Sequence, residues 1–178
     1  MELTIEQVRE AYYAELLNVP FHEHLGIALD REAPPGKPRV TIPSKPEIVT
    51  ADGHHSVAAV YTLGEAAAAI EMCDEMAPKA LDFGMGAIFF TVGATFEPRG
   101  PARGTIGAIT RLVSGIDEEV HGGPGAKKAN VDVAAEVVTE DGVVVGEQRF
   151  SFYVRFMEWD RMREMFRPAS EVGRLVGP

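Results

Sequence analysis

From Val57 to Ala69 nearly every side chain is apolar and the only charge is Glu65, whereas Glu71, Asp74 and Glu75 follow shortly after. Such a run, continued to Met76, reads as a long buried helix fed by the turn Asp52-Gly53-His54-His55-Ser56. About 20 residues at 1.5 Å per residue make a helix of roughly 30 Å. That is too long for one end of a small sheet, so a sheet has to wrap around it. Glu65 is then a carboxylate where carboxylates are costly. At about 100° per residue, Asp74 lies roughly 180° from Glu65, Glu71 about 120° and Glu75 about 80° away, while Ala58, Tyr61, Ala68, Ala69 and Met72 surround it. The later acids are expected to face water, and Glu65 is set apart from them. Burial raises a carboxyl pKa toward the range of a general base unless an N–H group or a cation holds it ionised.

The flanking segments supply the sheet. Thr4-Ile5-Glu6-Gln7 has the form of a capping box, and Ile5, Val8, Ala11, Tyr12, Leu16 and Leu17 keep helical spacing, predicting an amphipathic helix over residues 5–17 that ends at Pro20. Leu25 to Ala33 and Arg39 to Pro43 read as short strands about the turn Pro34-Pro35-Gly36, and Ser44 to Asp52 as a polar loop. After the helix, Ala87 to Phe96 and Gly104 to Val113 are strand candidates with Pro98 to Gly104 as the turn between them. Ala129 to Thr139 and Val143 to Met157 flank Asp141-Gly142, a hairpin signal. In the last strand Phe150, Phe152, Val154 and Phe156 share one face and Arg149, Ser151, Tyr153 and Arg155 the other. Asp117 to Lys128 is expected to be a mobile loop, and Glu158 to Phe166 a helix stopping before Pro168, followed by a tail with no reading. No repeat or linker divides residues 1–178, so a single domain is expected. Two strands, a buried helix and four antiparallel strands give an α+β class.

With 27 acidic against 17 basic residues and a formal charge of -10, the chain has no general attraction to nucleic acid or to an anionic membrane. Cys73 is the only cysteine, which excludes an internal disulfide and a cysteine-based zinc site. The Met1 end lacks the apolar core of a signal peptide, and no uncharged segment reaches the roughly 18 residues of a membrane span. A cytoplasmic protein is expected. Asp52, His54 and His55 lack the helical pair of histidines that marks a zinc motif, so no metal is expected. Neither Gly84-Met85-Gly86 nor Gly122-Gly123-Pro124-Gly125 carries the lysine and hydroxyl of a phosphate loop, and both read as turns.

The element order, with the phrases His55-Ser56-Val57-Ala58-Ala59-Val60-Tyr61-Thr62-Leu63-Gly64-Glu65 and Phe96-Glu97-Pro98-Arg99-Gly100-Pro101-Ala102-Arg103-Gly104, resembles the hotdog-fold acyl-CoA thioesterases, nearest to the phenylacetyl-CoA thioesterase type. By element order the resemblance covers residues 20–157. It implies an antiparallel sheet wrapped around the central helix, and subunits that join sheets in pairs so that active sites form between chains. A homodimer or dimer of dimers is therefore expected, with coenzyme A entering only as part of an acyl-CoA substrate; an acyl-carrier-protein thioester is the other substrate class.

In that family a His-Gly pair opens the helix, with an Asp or Glu eight residues after the glycine. Matching Leu63-Gly64-Glu65 to the family's Leu-Ala-Asp puts Glu65 at the acidic position, Ser56 at the histidine position and Val57 at the glycine position. The resemblance also implies that Thr50 stands where some members have a substrate-loop asparagine, and Thr91 where some have a serine or threonine from the partner subunit.

Thioester hydrolysis needs donors for the carbonyl oxygen as it becomes negative, and a base or nucleophile at the carbon. The Ser56 and Val57 amides at a helix N-terminus meet the first need. Glu65, as base to water or as nucleophile, meets the second. His55 is a further catalytic candidate and His54 a substrate-binding one, although both also read as a polar loop capping the helix with Ser56 as N-cap. Tyr61, one turn before Glu65, is a substrate-side candidate. Arg99 and Arg103, with Lys127 and Lys128, concentrate positive charge for coenzyme A phosphates. Two rival readings are a non-catalytic hotdog that binds an acyl ligand or serves assembly, and a hotdog hydratase or dehydratase.

Overall fold

The computed structural model describes residues 3–116 and 127–165. In chain order these form α1 (Ile5–Leu17), α2 (Pro20–Leu25), β1 (Ala28–Leu29), β2 (Val40–Ile42), α3 (Val57–Phe83), β3 (Gly86–Pro98), β4 (Ile106–Leu112), β5 (Lys127–Thr139), β6 (Val144–Met157) and α4 (Trp159–Met165). The six strands make one antiparallel sheet in the order β1-β2-β4-β5-β6-β3, curled around α3. This is an α+β hotdog architecture. Among the described residues no helix is long and apolar enough to cross a membrane.

Both halves of the capping box form at α1: the Gln7 amide donates to Thr4 Oγ1 at 3.2 Å and the Thr4 amide to Gln7 Oε1 at 3.0 Å. The first helix has the expected bounds, ending at Leu17 with Asn18 as its C-cap, but Pro20 does not begin a strand or loop. It opens α2, because a proline's missing N–H and preset φ suit the first helical position. Leu25 is thus the last residue of a helix, and the two early strands shrink to Ala28–Leu29 and Val40–Ile42. Lys127 and Lys128, read as loop, are the first residues of β5; the rest of the expected mobile loop, 117–126, lies outside the described residues, as does the tail after 165.

The central helix outruns its expected end at Met76, passing through Pro78 to Phe83 over 27 residues, or about 40 Å. Ala77 and Ala80 are fully buried beyond the expected stop, so packing against the sheet outweighs the backbone bond that Pro78 cannot make. Gly84, at φ 64°, closes the helix: its N–H donates to Leu81 O at 3.0 Å, and the Met85 N–H to Ala80 O at 2.9 Å. The acids expected to meet water are instead half-buried and engaged. Thr110 Oγ1 donates to Glu71 at 2.9 Å, the Ile116 amide to Glu75 at 3.3 Å, and Asp74 is held by Arg9, Arg39 and Tyr13. The reason is that α1 covers the Asp74 side of α3, while β4 and the segment after it run alongside Glu71 and Glu75.

The alternation in β6 is observed, with Phe150, Phe152, Val154 and Phe156 all buried. Gln148 continues that inward face and donates from Nε2 to Val60 O at 2.9 Å. A Cβ on Gly64 would lie 2.4 Å from Gln148 Oε1, so glycine is what lets β6 approach the helix here. Asp141-Gly142 turns the β5–β6 hairpin, with Gly142 at φ 80°. Pro98 to Gly104, however, is not a hairpin turn. β3 pairs only with β6, from Gly86↔Met157 to Pro98↔Gly146, while β4 lies between β2 and β5, so the segment carries the chain across the sheet.

Two tyrosines of α1 carry a pH prediction. Burial pushes the Tyr12 hydroxyl, which accepts from the Ala87 amide at 3.0 Å, up to about 12, and burial with the Asp74 hydrogen bond pushes Tyr13 higher still. Folding therefore favours the protonated hydroxyls. Their contribution is complete below the unfolded value of about 10, and that of Tyr12 is lost as pH rises from there to about 12. In an ultraviolet titration both should ionise only as the native circular dichroism is lost; early ionisation of the intact protein, at the pH of free tyrosine, would contradict this.

Candidate active site

Glu65 sits on α3 two turns beyond Val57, half-buried, and Thr91 Oγ1 on β3 donates to its Oε1 at 3.1 Å. Thr91, placed by the resemblance on a partner subunit, thus reaches Glu65 within one chain. Thr91 follows Ala87 and Phe89 on the inner face of β3 by simple alternation, and a bulge at Val92 comes directly after it. The register runs Thr91↔Phe152, then Gly93↔Ser151 and Ala94↔Phe150, so Thr91 and Ala94 both keep the inner face on either side of the extra residue. β3 is an edge strand, exposed from Phe90 to Thr95, with Phe90 at 53% and Val92 at 62%. Tyr61 lies half-buried between Phe96 and Phe150, edge-on to both rings at 6.4 and 5.6 Å. Burial, then the Glu65 charge, raises its pKa, which keeps the hydroxyl protonated as a donor.

The helix entrance is a second cluster. Ser56 is the N-cap, its Oγ accepting from the Ala59 amide at 3.2 Å, but its own N–H donates to Ile48 O at 3.3 Å. This corrects the expected donor pair. The first helical bond runs from Val60 N–H to Ser56 O, so the N–H groups left without an acceptor among the described residues are those of Val57 and Ala58. The Val57 side chain, 65% exposed, stands beside them.

Upstream of the cap, His55 is buried. Its amide donates to Ala102 O and its ring Nε2 to Gly104 O, both at 2.7 Å, pinning the 98–104 segment to the helix; its Nδ1 is buried without a partner among the described residues. His54 Nδ1 meets Asp52 Oδ2 at 3.0 Å. Thr50 organises the turn, donating to Asp52 Oδ1 at 2.5 Å and accepting from the His54 amide at 3.2 Å. Thr50, His54, His55, Ser56 and Val57 share one cavity of about 300 Å³ with Phe96.

Glu65 and Thr91 do not line that cavity, and eight residues of helix set Glu65 about 12 Å beyond Val57. Within one chain the base and the oxyanion donors are therefore two half-sites. The expected basic cluster is also divided. Arg99 is committed to Glu97 at 2.9 Å and Glu147 at 3.0 Å, leaving little of its guanidinium for a phosphate. Arg103 is exposed near the helix entrance; the Asp52 carboxyl is held below its usual range first by the Thr50 hydrogen bond, then by a backbone N–H, with the charges of His54 and Arg103 adding least. Lys127 lies over the Phe83 ring at 3.6 Å, at the far end of α3. The Ala58 amide and Gln148 were not anticipated; the first needs knowledge of what caps the helix, whereas the inward alternation of β6 already pointed to the second.

No family model and no curated protein matches the chain. Solved structures do. A probable thioesterase from Pseudomonas aeruginosa is 20% identical with a TM-score of 0.59, over 88% of this chain and 98% of that one. The PaaI protein of the phenylacetic acid degradation operon of E. coli is 13% identical with a TM-score of 0.55, over 84% and 95%. A thioesterase from Haemophilus influenzae is 14% identical with a TM-score of 0.54, over 86% and 92%. Element order, sheet topology and these likenesses agree, and the chain has the hotdog fold of the thioesterase-superfamily structures.

Proposed function

We propose that the chain hydrolyses an acyl thioester, of coenzyme A or of an acyl carrier protein, with Glu65 as the base to water or the nucleophile and the Val57 and Ala58 N–H groups polarising the carbonyl. The observation that carries this is the Glu65–Thr91 pair. Glu71 is tied to β4, Asp74 to α1 and Glu75 to the segment after β4, whereas Glu65 is tied to a hydroxyl on the open edge of the sheet. A carboxylate held by one hydroxyl donor keeps a free oxygen to accept a proton.

The two half-sites are joined by a second copy. Pairing of two β3 edges, antiparallel about the Val92 region, covers Phe90 and Val92 and sets Glu65 of one protomer facing the helix entrance of its partner. The protein is thus a homodimer or a dimer of dimers, and a cytoplasmic location suits such a substrate. The test is thiol release from a panel of acyl-CoA esters, with sedimentation alongside. Turnover by a dimer or tetramer is expected; a monomer at micromolar concentration, or no turnover of any thioester, would overturn the reading.

One observation favours a second reading. Val57 places an exposed branched side chain where the resemblance puts glycine, crowding the carbonyl site. A non-catalytic acyl-binding hotdog would show saturable binding of acyl-CoA with no thiol released.

A further inference from the structure

A cavity larger than the one at the helix entrance, about 540 Å³, runs between α1, the start of β3 and α4, with Ala11 and Tyr12 on one wall, Ile88 and Phe89 on the other and Trp159 and Met162 at one end. Its volume falls in the range of small-molecule sites, about 300–1,000 Å³. The wall is apolar apart from Gln7 and Glu15, and the Tyr12 hydroxyl is already engaged by the Ala87 amide, so nothing on it matches a charged ligand. Phe89 and Thr91 both face inward on β3, two residues or about 7 Å apart. The groove therefore begins one pleat from the Glu65–Thr91 pair. From Phe89 to Ala87 it extends about 7 Å along the strand, and α4 closes it there: a Cβ on Gly86 would lie 2.6 Å from Met162 Sδ and 3.0 Å from Trp159 Cε3, so the two elements are in close contact.

We propose that this groove is the acyl subsite, taking the tail of a linear, medium-length acyl group whose thioester carbonyl lies at Glu65. The proposal rests on the thioesterase reading for the carbonyl, and adds to it the acyl class and the residues that measure chain length. Continuity with the Glu65–Thr91 pair along one strand face selects this occupant over a second protein copy. The closed end sets a limit on the tail.

The test compares kcat/KM for decanoyl-CoA and butyryl-CoA in the wild type, in Ala11→Phe, which fills the groove, and in Met162→Ala, which opens its end. Each buried methylene is worth about fourfold. The decanoyl to butyryl ratio is expected to fall about fifteenfold in Ala11→Phe, the loss of roughly two buried methylenes, and Met162→Ala is expected to shift the optimum to longer chains. Trp159 is the only tryptophan, so contact quenching of its fluorescence by ω-bromodecanoic acid reads occupancy without turnover; saturable quenching is expected, weakened in Ala11→Phe. Quenching in a protein that turns over no thioester would support the groove and overturn the thioesterase reading. Turnover with the same chain-length ratio in all three proteins, or Trp159 insensitive to the brominated acid because a second copy covers it, would overturn the groove and leave the thioesterase reading standing.

Discussion

Glu65→Gln is expected to lower kcat for thioester hydrolysis by about 10²- to 10⁴-fold, the usual contribution of a positioned general base. Glutamine preserves the length and shape of the side chain, and its carbonyl oxygen can still accept from Thr91 Oγ1, so the half-site should keep its geometry. What it loses is the ability to take a proton or to attack the carbonyl. KM should change far less than kcat, because the acyl and carrier portions of the substrate bind elsewhere. Thr91→Ala, which frees the carboxylate without removing it, should cost less than Glu65→Gln. Thiol release under saturating acyl-CoA measures both, and equal kcat in Glu65→Gln and wild type would remove Glu65 from the chemistry.

The largest effect on stability is expected at Asp74. Its carboxylate accepts from the Tyr13 hydroxyl, meets Arg9 Nε at 2.7 Å and meets Arg39 Nη1 at 2.5 Å, so one side chain of α3 ties down both α1 and the approach to β2. Arg39 also donates to Tyr13 at 3.1 Å. Asp74→Ala leaves two half-buried guanidinium groups facing one another without their anion. Removing one member of a buried pair costs about 3–5 kcal/mol. The side chains here are 25% to 34% exposed, and solvent screening lowers the expected loss to about 2–3 kcal/mol. Tyr13→Phe, which removes the hydrogen bonds to Asp74 and from Arg39 and keeps the ring, should cost about 1–2 kcal/mol. Urea unfolding followed by circular dichroism gives both values. A loss below about 0.5 kcal/mol in Asp74→Ala, typical of an exposed surface pair, would show that the network is solvated.

The central helix, the β5–β6 hairpin and the inward face of β6 were legible because their signals are local: an apolar run with one charge, Asp141-Gly142 between alternating segments, and phenylalanines two residues apart. Glu65 stood out for the same reason, as an interruption of a pattern. The helix entrance is less legible in the sequence. Ser56 was correctly the N-cap, but whether its amide is free depends on Ile48 O, a carbonyl from a loop whose course no periodicity predicts. Arg99 and Lys127 looked like neighbours in charge; Arg99 is drawn to Glu147 across β3–β6 and Lys127 lies at the opposite end of the helix.

By itself, then, the chain's order of residues determined a long buried helix, the strands that wrap it and the one acid set apart from the rest, since burial periodicity and turn chemistry are written in consecutive residues. Only the tertiary structure decided what each polar group meets. It took Asp74 out of water by laying α1 over the helix, and Glu71 and Glu75 by bringing β4 and the segment after it alongside, gave Thr91 to Glu65 from the inner face of β3, and separated that pair from the Val57 and Ala58 donors. The physical reason is that a polar group's role is set by its partner and its solvent exposure, and both come from segments distant in sequence that the curled sheet brings together.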